Sequence, residues 1–256
     1  MAPPGLATKA WRKLRSAPPA LLVALGVAVC VGLWLAANAL VQLARKPTEI
    51  FSPVSGSLDK LPAETWRAYE PIFRAHATAT LTPDFLAALA QIEGAGNPVA
   101  RTPWRWRLTE DPFDVYRPAS SAVGMYQITD GTYRQAKRYC IHDNEVAEDG
   151  PWYDWRSCWF NWSYFRVVPS HATEMTAAFL DISVQRTLRQ LKKEGATLRE
   201  KQDLAAIMHL CGVAAGETFA TRGFKLSSNQ RCGGQNVGAY LGQMHAMQRT
   251  FAALAR

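Results

Sequence analysis

One carboxylate, Glu93, stands where its surroundings favour acid–base chemistry. Thr82-Pro83-Asp84 predicts a helix start, with Thr82 as the N-cap and Pro83 in the first turn, and Gly94 predicts the helix end. On a 3.6-residue period, Glu93 falls in the last turn and near the apolar stripe of this helix. Apolar neighbours and the negative end of the helix dipole both raise the pKa of a carboxyl group. Glu93 is therefore a candidate general acid, although a solvated glutamate in a last turn is also common.

Two segments around this carboxylate form an ordered pair of motifs, QIEGAGNP at residues 91–98 and SSAVGMYQIT at residues 120–129. Together they resemble the lytic transglycosylase family of lysozyme-like, peptidoglycan-cleaving enzymes. In that family a helix ends in a catalytic Glu followed by a small residue, and a segment with the pattern S-x-x-G-(small)-G-(apolar)-(Met/Tyr)-Gln comes next. Glu93-Gly94 matches the first motif. The residues that match the second, and that the resemblance assigns to substrate binding, are Ser121, Gly124, Met125, Tyr126 and Gln127.

Two looser matches extend the resemblance over residues 80–251. The family usually carries an Ala-Ala-Tyr-Asn-x-Gly stretch on a later helix, and residues 205–212 (AAIMHLCG) keep its position but not its Tyr-Asn pair. His209 falls there and is a candidate substrate-binding residue, with a packed helix histidine as the alternative. Tyr240 is the candidate for the late tyrosine that recurs on the closing helix of the family.

Aromatic residues are concentrated between and after the two main motifs. Six of the nine tryptophans lie in residues 104–162. Trp104 and Trp106 alternate with arginines in the sequence RTPWRWR, which suits contacts with sugar faces and with the acidic groups of peptidoglycan, so both are candidate substrate-binding residues. A second insertion, at residues 140–169, holds Trp152, Trp155, Trp159 and Trp162. For both groups of tryptophans the alternative is that they simply pack a loop-rich lobe.

The resemblance implies a reaction that needs a single protein carboxylate. Glu93 would protonate the oxygen leaving C1 of N-acetylmuramic acid in the MurNAc-GlcNAc β-1,4 bond. It would then take the proton from the C6 hydroxyl as the 1,6-anhydro ring closes. A hydrolytic muramidase with a second carboxylate from Asp84, Asp111, Asp114 or Asp130 is one alternative. A non-catalytic peptidoglycan-binding module of an envelope assembly is the other. The chemistry proposed for Glu93 needs no cofactor. The expected partner is the glycan strand of peptidoglycan.

The elements that must position these residues are mainly helical. Apolar periodicity predicts helices over residues 62–77, 82–94, 171–193 and 198–211, a short helix starting near Thr129–Thr132, and a closing helix from Val237 to Leu254. No window shows sustained strand alternation. The fold class predicted is mainly α, and the resemblance implies a lysozyme-like domain of the goose-type lysozyme and lytic transglycosylase kind over residues 61–256. Residues 47–60, with Pro, Ser and Gly, are predicted to be a linker.

The first 46 residues have the pattern of a membrane anchor. Four basic residues lie between Lys9 and Arg15, residues 20–43 carry no charge, and Arg45 and Lys46 follow. An apolar run of about 20 residues spans a bilayer, and the basic bias keeps the N-terminus in the cytoplasm. We therefore expect a single-pass protein of the inner membrane with its catalytic domain in the periplasm. A cleaved signal peptide, with the site at Ala37-Asn38-Ala39, is the competing interpretation.

Charge and cysteine content agree with an exported domain. The chain has 29 Lys and Arg against 21 Asp and Glu, but six of the basic residues lie in residues 1–46, which have no acidic residue. The nearly balanced remainder argues against nucleic acid as a partner. Cys140, Cys158, Cys211 and Cys232 predict two disulfides, paired in sequence order among three pairings. The absence of C-x-x-C and H-x-x-x-H spacing predicts no metal site. A link to an envelope or secretion machine stays open.

Overall fold

The computed structural model describes residues 17–256, so the basic segment between Lys9 and Arg15 lies outside the described residues. The chain is 58% helical, which confirms the predicted mainly α class. It divides into two compact units, which are described separately. Of the described residues, the first unit contains 17–49 and Trp104–Pro118, and the second contains Ile50–Pro103 and Ala119–Arg256.

The first unit is a long helix with a small hairpin. Helix α1 runs over Pro19–Arg45, with proline at its start. It is long and apolar enough to cross a membrane, a test that a signal sequence near the N-terminus also passes. Strands β1 (Trp104–Trp106) and β2 (Tyr116–Pro118) pair antiparallel, with Arg105 opposite Arg117.

The second unit carries seven labelled helices and two further hairpins in its described residues. In chain order these elements are α2 (Pro62–Ala75), α3 (Pro83–Gly94), α4 (Asp130–Ala136), β3 (Tyr139–His142), β4 (Glu145–Glu148), α5 (Pro169–Gln190), α6 (Leu198–Cys211), α7 (Val213–Thr221), β5 (Arg231–Cys232), β6 (Gln235–Asn236) and α8 (Val237–Leu254). A 3₁₀ helix covers Trp159–Ser163.

Helix α3 lies at the centre of the second unit. It packs against α2 and α8, and its residues from Phe85 to Ala90 are all buried. A sequence of six consecutive buried residues differs from the single apolar face expected from periodicity. The reason is that neighbouring elements surround the helix. The face with Ala87 and Ala88 is therefore enclosed, as is the face with Leu86 and Leu89. The middle of the site helix is therefore enclosed on every side.

Several helix ends follow their local signals. The Thr129 side chain accepts from the Thr132 amide at the start of α4, and Thr197 with Glu200 forms the predicted capping box of α6. Helix α5 begins at Pro169, two residues before the predicted start, because proline is well placed in a first turn. Helix α7 and the three hairpins were not predicted, since none carries a periodic pattern of sufficient length.

The segment predicted to be a linker contains short helical turns at Pro47–Phe51, Ser52–Ser55 and Gly56–Leu58. Ser55 is buried, and its hydroxyl donates to the Val99 carbonyl over 3.0 Å. The Lys60 amide donates to the Ala95 carbonyl over 2.8 Å. The end of this segment is thus held against the chain that follows α3.

Both predicted cysteine pairings are present. Cys140 and Cys158 have Cα atoms 5.4 Å apart, and Cys211 and Cys232 have Cα atoms 5.5 Å apart, which is the usual range for a disulfide. The first links β3 to the chain before the 3₁₀ helix, and the second links the end of α6 to β5. Among the described cysteines, Cys30 on α1 is free and exposed.

Candidate active site

Glu93 lies in the last turn of α3, next to the end of the helix. Thr82 is the N-cap as predicted, but its hydroxyl accepts a hydrogen bond from Gln202 Nε2 on α6 instead of an amide of its own helix. At the other end, Ala95 adopts the left-handed conformation with φ of 49°. The Glu93 side chain keeps 16% of its exposure, so it is largely enclosed yet reaches solvent.

Two side chains from distant helices meet the Glu93 carboxylate. Tyr240 on α8 donates its hydroxyl to Glu93 Oε1 over 2.6 Å, and His209 on α6 places Nε2 3.7 Å from the same oxygen. Tyr240 is 2% exposed. Burial raises its pKa well above 10, and the neighbouring Glu93 carboxylate raises it further, so Tyr240 remains a protonated donor. Two of the looser sequence candidates are thus brought to the proposed acid.

The two main motifs meet at Gly94. A Cβ atom at Gly94 would lie 2.8 Å from Met125 Cα and 2.9 Å from the Met125 carbonyl oxygen. Only a residue without a side chain allows the end of α3 to approach the second motif so closely. The small residue after the glutamate therefore has a packing role, because it brings Glu93 next to the loop that contains Met125.

The second motif is a tight loop that depends on unusual backbone angles. Gly124 has φ of 80°, and a Cβ atom there would collide with the Arg166 carbonyl. Gln127 also has positive φ, at 46°, and its side-chain amide donates to the carbonyls of Ala100 and Gly124 over 3.1 and 2.9 Å. Gln127 is therefore turned back towards the chain that follows α3, and it holds the loop closed.

Three other residues of the second motif take structural positions. Met125 and Tyr126 are fully buried, and Tyr126 donates its hydroxyl to Thr173 over 3.3 Å. Their side chains therefore support the loop by packing and are not exposed to a ligand. Ser121 is partly exposed, and its hydroxyl accepts the Asp130 amide at the start of α4 over 3.1 Å.

Arg166 stabilises this loop through its side chain. The sequence did not indicate this role. Its guanidinium donates to the carbonyls of Ser121 and Ile128, each over 2.9 Å, and pairs with Asp130 over 2.8 Å. The side chain is 16% exposed. The planar guanidinium has several N–H donors and can therefore bind several oxygens at once. No local pattern marks this residue, because its partners lie about forty positions earlier in the chain.

Glu93 lines an open cleft of about 500 Å³, together with residues that follow α3 and residues of the segment before α2. Asp59 is the other carboxylate among the residues that line the cleft, and Arg101 lines it as well. The buried Asn97 holds Asp59 in place by donating to its Oδ1 over 2.8 Å. Asp59 was missed because its segment has the composition of a linker.

A smaller cavity of about 50 Å³ is lined in part by His209. Its lining includes Gln127, Thr129, Thr132 and His209. His209 thus lies near Glu93 Oε1 and also lines this smaller pocket.

The four carboxylates that the sequence suggested as second groups have other positions. Asp84 lies in the first turn of α3, at the opposite end of the helix from Glu93. Asp130 pairs with Arg166. Asp111 and Asp114 belong to the first unit, where both pair with Arg45 at 3.5 and 2.6 Å. Asp59 is consequently the second carboxylate that the cleft offers.

The predicted aromatic contacts divide between the units. Trp104 and Trp106 form β1 of the first unit, so their predicted role in substrate binding stays a prediction. In the second unit, Trp152, Trp155 and Trp162 are more than two-thirds exposed. Within residues 17–256, no group of three or more His, Cys, Asp or Glu side chains could hold a metal ion.

Comparisons of this chain with protein-family models, with curated proteins and with solved structures found no match.

Proposed function

We propose that the second unit is a peptidoglycan lytic transglycosylase with a lysozyme-like fold, and that Glu93 is its single acid and base. The observation that carries this proposal is the position of Glu93 at the end of a buried helix. There its carboxylate lines an open cleft and accepts a hydrogen bond from Tyr240. The two motifs that resemble the family also meet at Gly94 and Met125. Convergence of both motifs on one carboxylate is what such an enzyme requires.

The hydrogen bond from Tyr240 determines which oxygen of Glu93 can act. Oε1 accepts from the Tyr240 hydroxyl, so a proton carried by Glu93 resides on Oε2. Oε2 then protonates the glycosidic oxygen as the bond to C1 of N-acetylmuramic acid breaks. The same oxygen, now without its proton, removes the proton of the C6 hydroxyl while that hydroxyl attacks C1 and closes the 1,6-anhydro ring. Tyr240 fixes the orientation of the carboxylate through both steps.

The cleft lined by Glu93 and the small pocket lined by His209 would both contact a polymeric substrate. The large cleft offers the carboxylate of Asp59 to sugar hydroxyls, and Arg101 lines the same cleft. The small pocket adds Gln127, Thr129 and His209. Polar side chains within a rigid scaffold are suited to orient a sugar chain across the acid.

The expected location follows from the first unit and from the disulfides. Helix α1 would anchor the protein in the inner membrane with the second unit in the periplasm, where two disulfides can form. The glycan strands of the wall are then the accessible partner.

The test is the Glu93→Gln variant of the full-length protein in detergent, incubated with purified sacculi. Glutamine keeps the acceptor for Tyr240 but has no proton to give, so we expect a folded protein that releases no muropeptides. Mass spectrometry should show 1,6-anhydro ends among the products of the unmutated protein. Glu217→Gln, at an exposed position on α7, is the matched control. Normal cleavage by the Glu93→Gln variant contradicts the assignment. Unmutated protein that binds sacculi without cleaving them indicates a binding module instead.

Asp59 supports a second candidate, a hydrolytic muramidase. A carboxylate that shares the cleft with Glu93 could take a proton from water, which would attack C1 and leave a reducing end. In that case the unmutated protein forms reducing ends, and Asp59→Asn abolishes them. If Asp59 only binds sugar, Asp59→Asn slows cleavage and the ends stay 1,6-anhydro. The ratio of the two kinds of end separates the candidates.

A further inference from the structure

One face of α1 is occupied by the β1–β2 hairpin. Trp34, Asn38, Gln42 and Arg45 are spaced by four, four and three residues, which places them on one side of a helix. Trp34 stacks on Trp106 with ring centroids 6.2 Å apart. Further along, Arg45 pairs with two aspartates of the loop between the strands.

The two polar residues of the apolar run are the ones that bind the hairpin. Asn38 Nδ2 donates to the Tyr116 carbonyl over 2.7 Å, and Gln42 Nε2 donates to the Phe113 carbonyl over 2.5 Å. Asn38 is 0% exposed and Gln42 is 3% exposed. An amide left without partners in hydrocarbon costs several kcal/mol, roughly, so these residues are suited to a helix covered by protein at that level.

Helix length places part of this contact at the edge of the bilayer. A hydrocarbon core of about 30 Å needs about 20 helical residues, so a span that enters at Pro19 leaves near Asn38. The Trp34–Trp106 stack lies one helical turn on the lipid side of Asn38. If the hairpin were kept wholly outside the bilayer, α1 would have only the residues before Trp34 to cross it, which is too few.

The exposed side chains of the hairpin have the chemistry of a membrane interface. Trp106 is 66% exposed and Leu108 is fully exposed, and Trp106 stacks on Tyr116 at 4.5 Å. Arg105 and Arg107, which flank Trp106 in the sequence, are exposed as well. Tryptophan and tyrosine concentrate at the headgroup level of membranes, and arginine binds lipid phosphates.

We infer that the β1–β2 hairpin is a membrane-docking element. It binds the outer end of α1, inserts Trp106 and Leu108 into the outer leaflet, and presents Arg105 and Arg107 to the lipid phosphates. The occupant of this surface is thus the bilayer interface itself. The inference requires that α1 crosses a membrane, and it is independent of the chemistry at Glu93. It also gives Trp106 a role other than the sugar contact expected from the sequence.

The test measures the depth of Leu108 in a membrane. A spin label is attached to Leu108→Cys in a Cys30→Ser background, where the four other cysteines are held in disulfides. The full chain is reconstituted in vesicles of phosphatidylethanolamine and phosphatidylglycerol. We expect the ratio of oxygen to nickel-chelate accessibility to be several-fold higher at Leu108 than at Leu198→Cys, an exposed leucine of the second unit.

Two results would overturn the inference. Equal nickel accessibility at the two labels means that Leu108 lies in water. Low accessibility to both reagents with spin–spin broadening means that a second copy of the chain covers the surface. The Asn38→Leu, Gln42→Leu variant tests the attachment to α1, because it removes both donors and leaves the span apolar. We expect a more mobile spectrum at Leu108 in that variant, and an unchanged spectrum would refute the attachment.

Discussion

The Tyr240 hydroxyl donates a 2.6 Å hydrogen bond to Glu93 Oε1, and the two residues are 147 positions apart in the chain. One lies on the central helix α3 and the other on the closing helix α8, which pack against each other. The contact joins the proposed acid to the last element of the fold.

Tyr240→Phe should slow cleavage without unfolding the protein. The variant keeps the buried ring but loses the donor that orients the Glu93 carboxylate. A hydrogen bond to a charged group is worth about 1.5–3 kcal/mol, which corresponds to about a 13- to 160-fold lower rate. The measurement is the initial rate of muropeptide release from sacculi. Tyr139→Phe, which removes a hydroxyl that Arg186 binds, is the control. Unchanged cleavage by Tyr240→Phe would mean that the contact has no part in the reaction.

Gly94→Ala should damage both stability and activity. The new methyl group would lie within 3 Å of the Met125 backbone, so either α3 or the second motif must move. Overpacking of this kind costs about 1–3 kcal/mol, measured as a shift of the urea unfolding midpoint. Gly195→Ala is the matched control, because a Cβ atom there has no neighbour within 4 Å. Equal stability of the two variants would refute the close packing of the motifs.

Arg166→Lys should loosen the second motif although it keeps the charge. The lysine ammonium group lacks the planar set of donors that binds two carbonyls and a carboxylate together. We therefore expect the free energy of unfolding to fall by about 2 kcal/mol. Hydrogen exchange at residues 121–130 should also become faster. Asp130→Asn removes only the ion pair, whose acidic partner is 54% exposed, so its effect should stay below about 1 kcal/mol. The idea fails if Arg166→Lys protects these amides as well as the unmutated protein does.

Asp181 should make the protein less stable as pH rises. Burial raises its pKa above 3.8, against the opposing hydrogen bonds from Thr80, Thr78 and Gln185. A folded-state pKa above the unfolded value favours folding below the unfolded pKa, and this advantage disappears as pH rises through the folded pKa. The unmutated protein should therefore lose stability relative to Asp181→Asn as the pH rises from acidic to neutral. The measurement is the free energy of unfolding in urea at each pH. Asp143→Asn, on the exposed turn of the β3–β4 hairpin, is the control. Parallel pH curves for Asp181→Asn and the unmutated protein would refute this role.

Local signals explain which parts of the fold were predictable. Thr129 and the Thr197–Glu200 pair act within three residues of a helix start, so the sequence alone reveals them. The nearness of Glu93, Gly94 and the second motif was expected only through the resemblance. Asp59 and Arg166 were missed, because their positions depend on Asn97 and on carbonyls far along the chain. The hairpin on α1 was equally hidden, since no periodicity links Asn38 to Tyr116.

The Cys211–Cys232 disulfide has a consequence for when the site can assemble. It joins the end of the helix that carries His209 to the hairpin that leads into the helix carrying Tyr240. Closing this 21-residue separation removes about 3 kcal/mol of chain entropy from the unfolded state. A newly made chain in a reducing compartment lacks that constraint, and both neighbours of Glu93 are then held by packing alone. Under the proposed function, oxidation after export would complete the constellation, so biogenesis itself would delay wall cleavage until the protein has reached the wall.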